Sequence, residues 1–223
     1  MYEQLLKNNL NLYFGGHFQS IPIQLNTEHH IEEYLAGTYN TIFDALDEYP
    51  NTCVVRVDLK IPKLYKSLND TLILRFFEFL QTMINANLEL REDEGYPFAL
   101  CNIRYVASRS RNRFLTEQYN ILLFFNLEAY NCIGDYARNV GGNMAERIRI
   151  AWADALESET EYVTKANLVN VPKKPVYHIN YVKGNSYTYW HEVKEIFHRF
   201  SYFTTTAGKN FSQGFSPFLY SGN

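Results

Sequence analysis

Three short stretches carry side chains whose types and spacing could do chemistry. Arg56 and Asp58 stand two apart in 53–59 (CVVRVDL), so on a strand they share one face. There they offer either a structural ion pair or a carboxylate for a site. Gln118 and Asn120, again two apart, bracket Tyr119 at the mouth of the apolar run 121–125 (ILLFF). Their amide oxygens can complete a Mg²⁺ shell but rarely build one, so a cation there would also need Asp58 or Glu117. The segment 108–113 (SRSRNR) is the most basic in the chain. It suits a solvated loop, or, beside a sheet that handles DNA, a hairpin whose Arg109, Arg111 and Arg113 meet phosphates.

Other groups with metal or catalytic potential are poorly spaced. His29 and His30 lack a second pair at ligand spacing and read as surface or helix-start residues; His178 is a lone strand histidine. His191 and His198 are seven residues apart, two helical turns, too far for one ion. The chain contains no GxGxxG or GxxxxGK[ST] phosphate loop, no HExxH and no GxSxG elbow.

Positioning the first group of residues takes a sheet. The run 121–125 is bounded by polar residues and predicts a strand buried on both faces at the centre of that sheet. Alternation sends Gln118 and Asn120 to one side and Tyr119 to the other. A second strand, 53–59, opposes Val55, Val57 and Leu59 to Arg56 and Asp58. Further strands are expected at 96–107, 167–171 and 176–182, the last two separated by Pro172 and Pro175. Amphipathic spacing predicts helices at 31–49, at 71–90 behind an N-cap at Asn69 or Asp70, and at 136–156 with its better part from Asn143. One more runs from Tyr189 through Phe197 and Phe200 to Tyr202. The leucines at 5–12 hint at a short helix, and 207–223 reads as irregular. The expected fold class is α+β: one central antiparallel sheet covered by helices.

Composition narrows the function classes. The chain has 223 residues, enough for one domain with a small appendage, and 18 Tyr and 16 Phe, which imply a bulky aromatic core. A net charge of −3 gives no global basic footprint, so nucleic-acid binding would need local patches. Cys53, Cys101 and Cys132 show no CxxC pairing, which fits buried thiols in a reducing cytoplasm. No apolar run approaches the ~20 residues of a membrane helix, and 1–7 lacks secretory-signal regions. A cytoplasmic protein without a membrane partner is the expectation.

Several of these pieces, in this order over roughly 50–216, resemble the phage and prophage family called inovirus Gp2 or YagK/YfjJ-type. Its members carry an Arg-x-Asp-Leu strand followed by proline, then His-Tyr-His ahead of an apolar run ending in Asn. They also carry an Ala-Trp, and an Arg-x-Ser-Tyr-x-x-Lys segment ahead of a further Lys and Phe-Gly-x-Ser. Here the matching residues are Arg56-Val57-Asp58-Leu59 before Pro62, Gln118-Tyr119-Asn120 before Asn126, and Ala151-Trp152. Arg199-Phe200-Ser201-Tyr202-Phe203-Thr204-Thr205, Lys209 and Gly214-Phe215-Ser216 complete the set. Both histidines and the first lysine are replaced, and no glutamate stands in the connection before residue 117 where the family has one.

The resemblance implies a Rep-like, HUH-endonuclease-type sheet in which the Asp58 and Asn120 strands are neighbours, and a rolling-circle replication role. Tyr202 would be the nicking nucleophile, attacking a phosphate held by a cation at Gln118, Asn120 and Asp58. Arg109, Arg111, Arg113, Lys209 and Arg199 would contact DNA. The losses point to a replication-initiator-like DNA-binding protein with a degenerate nicking site and no cofactor, Mg²⁺ or Mn²⁺ being the ions such an oxygen site would take. An active nickase using Tyr202 is one alternative; a protein-binding scaffold acting on a host protein is another. The expected organisation is an N-terminal helical extension (1–50), the Rep-like domain (51–216) and a tail (217–223).

Overall fold

The computed structural model describes the chain except residues 1–4, 6–7, 26–27, 64, 66–69, 98, 112–115, 135–141, 182–184, 210, 212–215 and 223. Two small ladders come first: β1 (Leu12–Tyr13) pairs with β4 (His30–Ile31), and β2 (His17–Phe18) with β3 (Ile21–Pro22). Helix α1 (Glu32–Glu48) leads into strand β5 (Thr52–Lys60), which is followed by helix α2 (Thr71–Asp93). Strands β6 (Arg104–Arg111) and β7 (Glu117–Asn126) precede helices α3 (Met144–Ala155) and α4 (Thr160–Lys165). Strands β8 (Val169–Asn170) and β9 (Val176–Ile179), helix α5 (Ser186–Phe200), a 3-10 turn (Ser201–Thr204) and strand β10 (Phe218–Tyr220) complete the order.

The main sheet is antiparallel throughout. Its strands run β10–β6–β7–β5, and the far edge of β5 is shared by β8 at one end and β9 at the other. The expected α+β sheet covered by helices is therefore what forms. β7 lies at its centre because Tyr119–Phe125 would expose too much apolar surface anywhere else. Tyr119, Ile121, Leu123 and Phe125 pack on one side with Phe76 of α2 and Trp152 of α3. Leu122 and Phe124 pack on the other with Leu35 and Ile42 of α1 and Phe197 and Phe200 of α5. Helices thus cover both faces, and α1 is part of the layer over the second. There Tyr34 stacks on Phe218 at 4.4 Å, and a Cβ on Gly37 would lie 2.6 Å from the Tyr220 ring.

Five expectations need correcting. The third strand begins at Arg104, not residue 96, and runs through Ser108–Arg111, so this part of the basic segment is ladder and not loop. Upstream of it, the backbone is held by side chains instead: Tyr49 Oη accepts from Asn102 N (3.0 Å) and Gln81 Oε1 from Ile103 N (2.8 Å). Part of 207–223 is regular, because β10 supplies the edge partner of β6. Leu12, expected in a helix, lies in β1. His30 is buried in β4, its Nδ1 bonded to Thr204 Oγ1 (2.8 Å) and its Nε2 to the Gln24 carbonyl (2.7 Å), so it is not a surface residue. Cys53 and Cys101 are buried, their thiols pushed up to about 12 by burial, while Cys132 is exposed.

Trp152 is the largest fully buried side chain, edge-on to Phe76 and Tyr119, with its indole N–H donated to the Lys60 carbonyl (3.2 Å). Trp152→Ala is expected to lower unfolding stability by about 3–5 kcal/mol in urea titrations, through the cavity left and the lost packing.

Candidate functional site

In register, Asp58 of β5 stands opposite Asn120 of β7, Asn120 opposite Ser108 of β6, and Asp58 opposite Asn170 of β8. Directly opposed residues point the same way, so one polar row crosses four strands on the face covered by α1 and α5. Lys60, Gln118 and Ser110 make the next row; Arg56, Leu122 and Val106 the one before. The row is internally bonded. Asn170 Nδ2 donates to Asp58 Oδ2 (3.0 Å), and Arg56 Nη2 meets Asp58 Oδ1 at 3.4 Å. Gln118 Nε2 donates to Asn120 Oδ1 (2.7 Å), whose own Nδ2 donates to Ser110 Oγ (2.9 Å).

The 3-10 turn docks on this row. Ser108 Oγ donates to the Phe203 carbonyl (3.1 Å), and the Arg56 guanidinium lies 5.5 Å from the Tyr202 ring centroid and 5.7 Å from that of Phe203. Tyr202 is half-buried. Burial pushes its phenol well above the ordinary range; the Asp58 carboxylate and Tyr177 push the same way, and Arg56 opposes them. Asp58, Gln118, Asn120 and Tyr202 are thus gathered on one face. Arg56, Asn170 and Ser110 join them, and of these only Arg56 had a visible signal, its two-residue spacing from Asp58. Asn170 and Ser110 become neighbours through strand pairing alone.

The set does not fit a divalent cation as it stands. It offers one carboxylate, both oxygens of which already face N–H donors, and the amide oxygen of Asn120 is taken by Gln118. Among the described residues no three of His, Cys, Asp or Glu are placed to hold a metal ion together. Glu117 cannot supplement it, because its strand position puts it with Tyr119 on the opposite face. There its carboxylate is shared by Arg109 (2.5 Å) and Arg111 (3.2 Å).

The arginines and lysine expected at DNA are scattered. The Arg109 side chain is 5% exposed and lies over Tyr119 as well as against Glu117. Arg111 is half-exposed; Arg113 lies outside the described residues. Arg199 stacks on Tyr177 (5.2 Å) and approaches Glu195 at 3.5 Å. Lys209 is half-buried as a residue, but its ammonium turns inward to the Phe203 carbonyl (2.6 Å), and burial pushes it down to about 7. Ser216, the described part of the closing Gly-Phe-Ser, donates its N–H to both Asp70 oxygens (3.1 and 3.0 Å).

A family model described as the YagK/YfjJ C-terminal domain matches residues 16–221. The chain is similar to the "Uncharacterized protein YagK" of Escherichia coli (strain K12), 26% identical over 194 residues covering 83% of this chain and 90% of that protein. It is also similar to the "Uncharacterized protein YfjJ" of the same strain, 25% identical over 167 residues covering 70% and 79%. No solved structure matches.

Two titrations follow from these contacts. Burial works to raise the Glu117 carboxyl, but the bonds and charges of Arg109 and Arg111 outweigh it and hold it below the usual range. A depressed carboxylate stabilises the fold above its unfolded pKa of about 4.3 and loses that contribution as pH falls through the folded value. Glu117→Gln, which takes the carboxylate from the buried Arg109, is expected to cost about 2–3 kcal/mol at neutral pH and to flatten the acid limb of the stability curve. Lys209 has the opposite profile. The unfolded chain binds its proton between pH ~7 and ~10.4 while the folded chain does not, so stability rises with pH across that window. Lys209→Met is expected to remove that rise, measured by denaturant unfolding at pH 7, 8.5 and 10.

Proposed function

The chain belongs to the YagK/YfjJ C-terminal domain family, and on that premise we propose that it is a phage- or prophage-derived, replication-initiator-like protein that binds DNA without nicking it. The observation that carries the initiator-like reading is the register of Asp58 against Asn120, with the Tyr202 turn seated on the same face. That is the layout the resemblance to inovirus Gp2 implies for a Rep-like site.

The same geometry supports loss of nicking. Covalent attack needs a phenolate or a base beside the phenol, and burial makes this phenol harder to ionise. A phosphate would need a cation or a strong donor, and the amides that replace the two histidines are bonded to each other and to Ser110. Thr205 holds the position of the family's lysine and donates its hydroxyl to the Tyr202 carbonyl (2.9 Å), closing the turn. Of the cations expected at DNA, Arg111 and Arg199 are half-exposed and open to phosphates.

One observation favours a second reading, a scaffold that binds another protein. Tyr181 and Trp190 are exposed, each against Tyr189 near the start of α5, where an interface would bury them.

The test incubates single-stranded, origin-containing phage DNA with the protein and Mn²⁺. The expected result is a gel shift that weakens steeply with salt and no covalent 5′-linked adduct. An adduct that vanishes in Tyr202→Phe overturns the non-nicking reading in favour of an active nickase. No shift even at low salt overturns DNA binding and leaves the protein-binding reading.

A further inference from the structure

Between α2 and β6, on the face of the sheet opposite the polar row and Tyr202, lies an open cleft of about 510 Å³. Leu74, Phe77, Ile103 and Tyr105 give it apolar walls, and Glu78, Gln81 and Thr82 line its helical side. Two ties fix its shape. Gln81 gives its amide hydrogens to Asn85 Oδ1 (2.8 Å) and the Cys101 carbonyl (3.0 Å) and accepts from Ile103 N (2.8 Å), which joins helix to strand. Phe77 and Tyr105 stack face to face, with 3.5 Å between ring centroids and 11° between planes. The Tyr105 backbone is held in turn: its N–H donates to Ser221 Oγ and its carbonyl accepts from Ser221 N, both at 2.9 Å.

Little polar capacity is left in the cleft. Gln81 is spent on these bonds, and Thr82 Oγ1 donates to the Glu78 carbonyl (2.9 Å). The Glu78 carboxylate is exposed and, among the described residues, has neither an ion pair nor a hydrogen bond. No Lys or Arg stands among the described lining residues; Arg75, on the same helix, is turned to Glu157 (2.7 Å) and the Ala155 carbonyl. Leu74, on the helical wall, is 41% exposed. An apolar trough with one unanswered negative charge matches a group that is apolar along its length and positive at its end. Glu78 repels phosphate, which argues against nucleic acid as the occupant. The cleft is also too open to enclose a small molecule, about 70–90% of whose surface a formed pocket buries.

We propose that this cleft docks a basic, apolar segment of a partner protein. An aliphatic side chain of that segment lies against Leu74, Phe77, Ile103 and Tyr105, and a neighbouring Lys or Arg reaches Glu78. The walls stand in place before binding, so little ordering of this chain opposes it. The surface is separate from the polar row, and DNA held there leaves it free.

Amide NMR of the full chain, titrated with a capped peptide of alternating Leu and Arg, tests this. Saturable shifts centred on Leu74, Glu78 and Tyr105 are expected. Glu78→Lys, at an exposed side chain with no described contact to lose, should weaken the peptide by about tenfold or more as attraction turns to repulsion. Leu74→Ser should weaken it as well, whereas Glu161→Gln, on the exposed pair with Lys165, should not. The same peptide with Glu in place of Arg should leave the cleft resonances unmoved. The proposal is overturned if the basic peptide moves none of them, if Glu78→Lys binds it like the wild type, or if the acidic peptide or a single-stranded oligonucleotide moves the same set. Phenylethylamine binding there as tightly as the peptide also overturns it, in favour of a small-molecule site. Should Glu78→Lys fail to fold, Glu78→Gln is read in its place: undiminished binding of the basic peptide overturns the docking site.

Discussion

Burial of β7 on both faces is the constraint on which the molecule depends. A strand with no solvent side must pair its backbone on both edges and match its side chains to two different cores. That fixes β5 and β6 as its neighbours in a single register. A slip of one residue would push Asn120 among Trp152 and Phe76 and turn Tyr119 toward α5. The alignment of Asp58, Asn120 and Ser108 is thus a by-product of apolar packing that any chemistry on this face inherits. The polar row survives in the interior because nearly every group in it has a partner. The buried Nε of Arg56 is an orphan within it.

Arginines are the other recurring theme, and each buried one is handled differently. Arg109 is neutralised by Glu117, Arg149 by Glu146 one turn back, and Arg56 shares Asp58 with Asn170 while covering Tyr202. Charges that a linear reading assigns to the surface are largely spent inside. That is how a chain of net charge −3 carries an arginine-rich strand whose Arg109 is held inside. Any grip on nucleic acid must come from cations other than these and would be sensitive to salt.

The strand pair at the centre was legible because its pattern is strong: a continuous apolar run for β7, and strict alternation around Arg56 and Asp58 for β5. Helices at 32–48 and 71–93 followed from equally clear periodicity. The basic strand β6 was not legible. Serine and arginine in alternation look solvated until the hairpin brings Glu117 opposite Arg111 and within reach of the Arg109 side chain eight residues back. His30 hid for a similar reason, since its partner Thr204 is 174 residues away. Asn170 likewise joins the polar row only across 112 residues. Local pattern reveals which face a side chain takes; what meets it there is long-range information.

The pairing of β10 with β6 has a consequence for how the protein is made. Phe218 sits opposite Ser108, and Tyr220 fills the space left by Gly37, so one edge of the sheet and the lid over it come from opposite regions of the chain. A growing polypeptide that has already emerged past β7 would hold β6 with an open, unpaired ladder, and α1 with an unfilled notch, until the stretch around 218–220 is synthesised. Such an edge is a template for pairing with other chains. Newly made molecules would therefore pass through an interval of adhesiveness that finished ones no longer have, and their yield would depend on how briefly the ribosome keeps them in it.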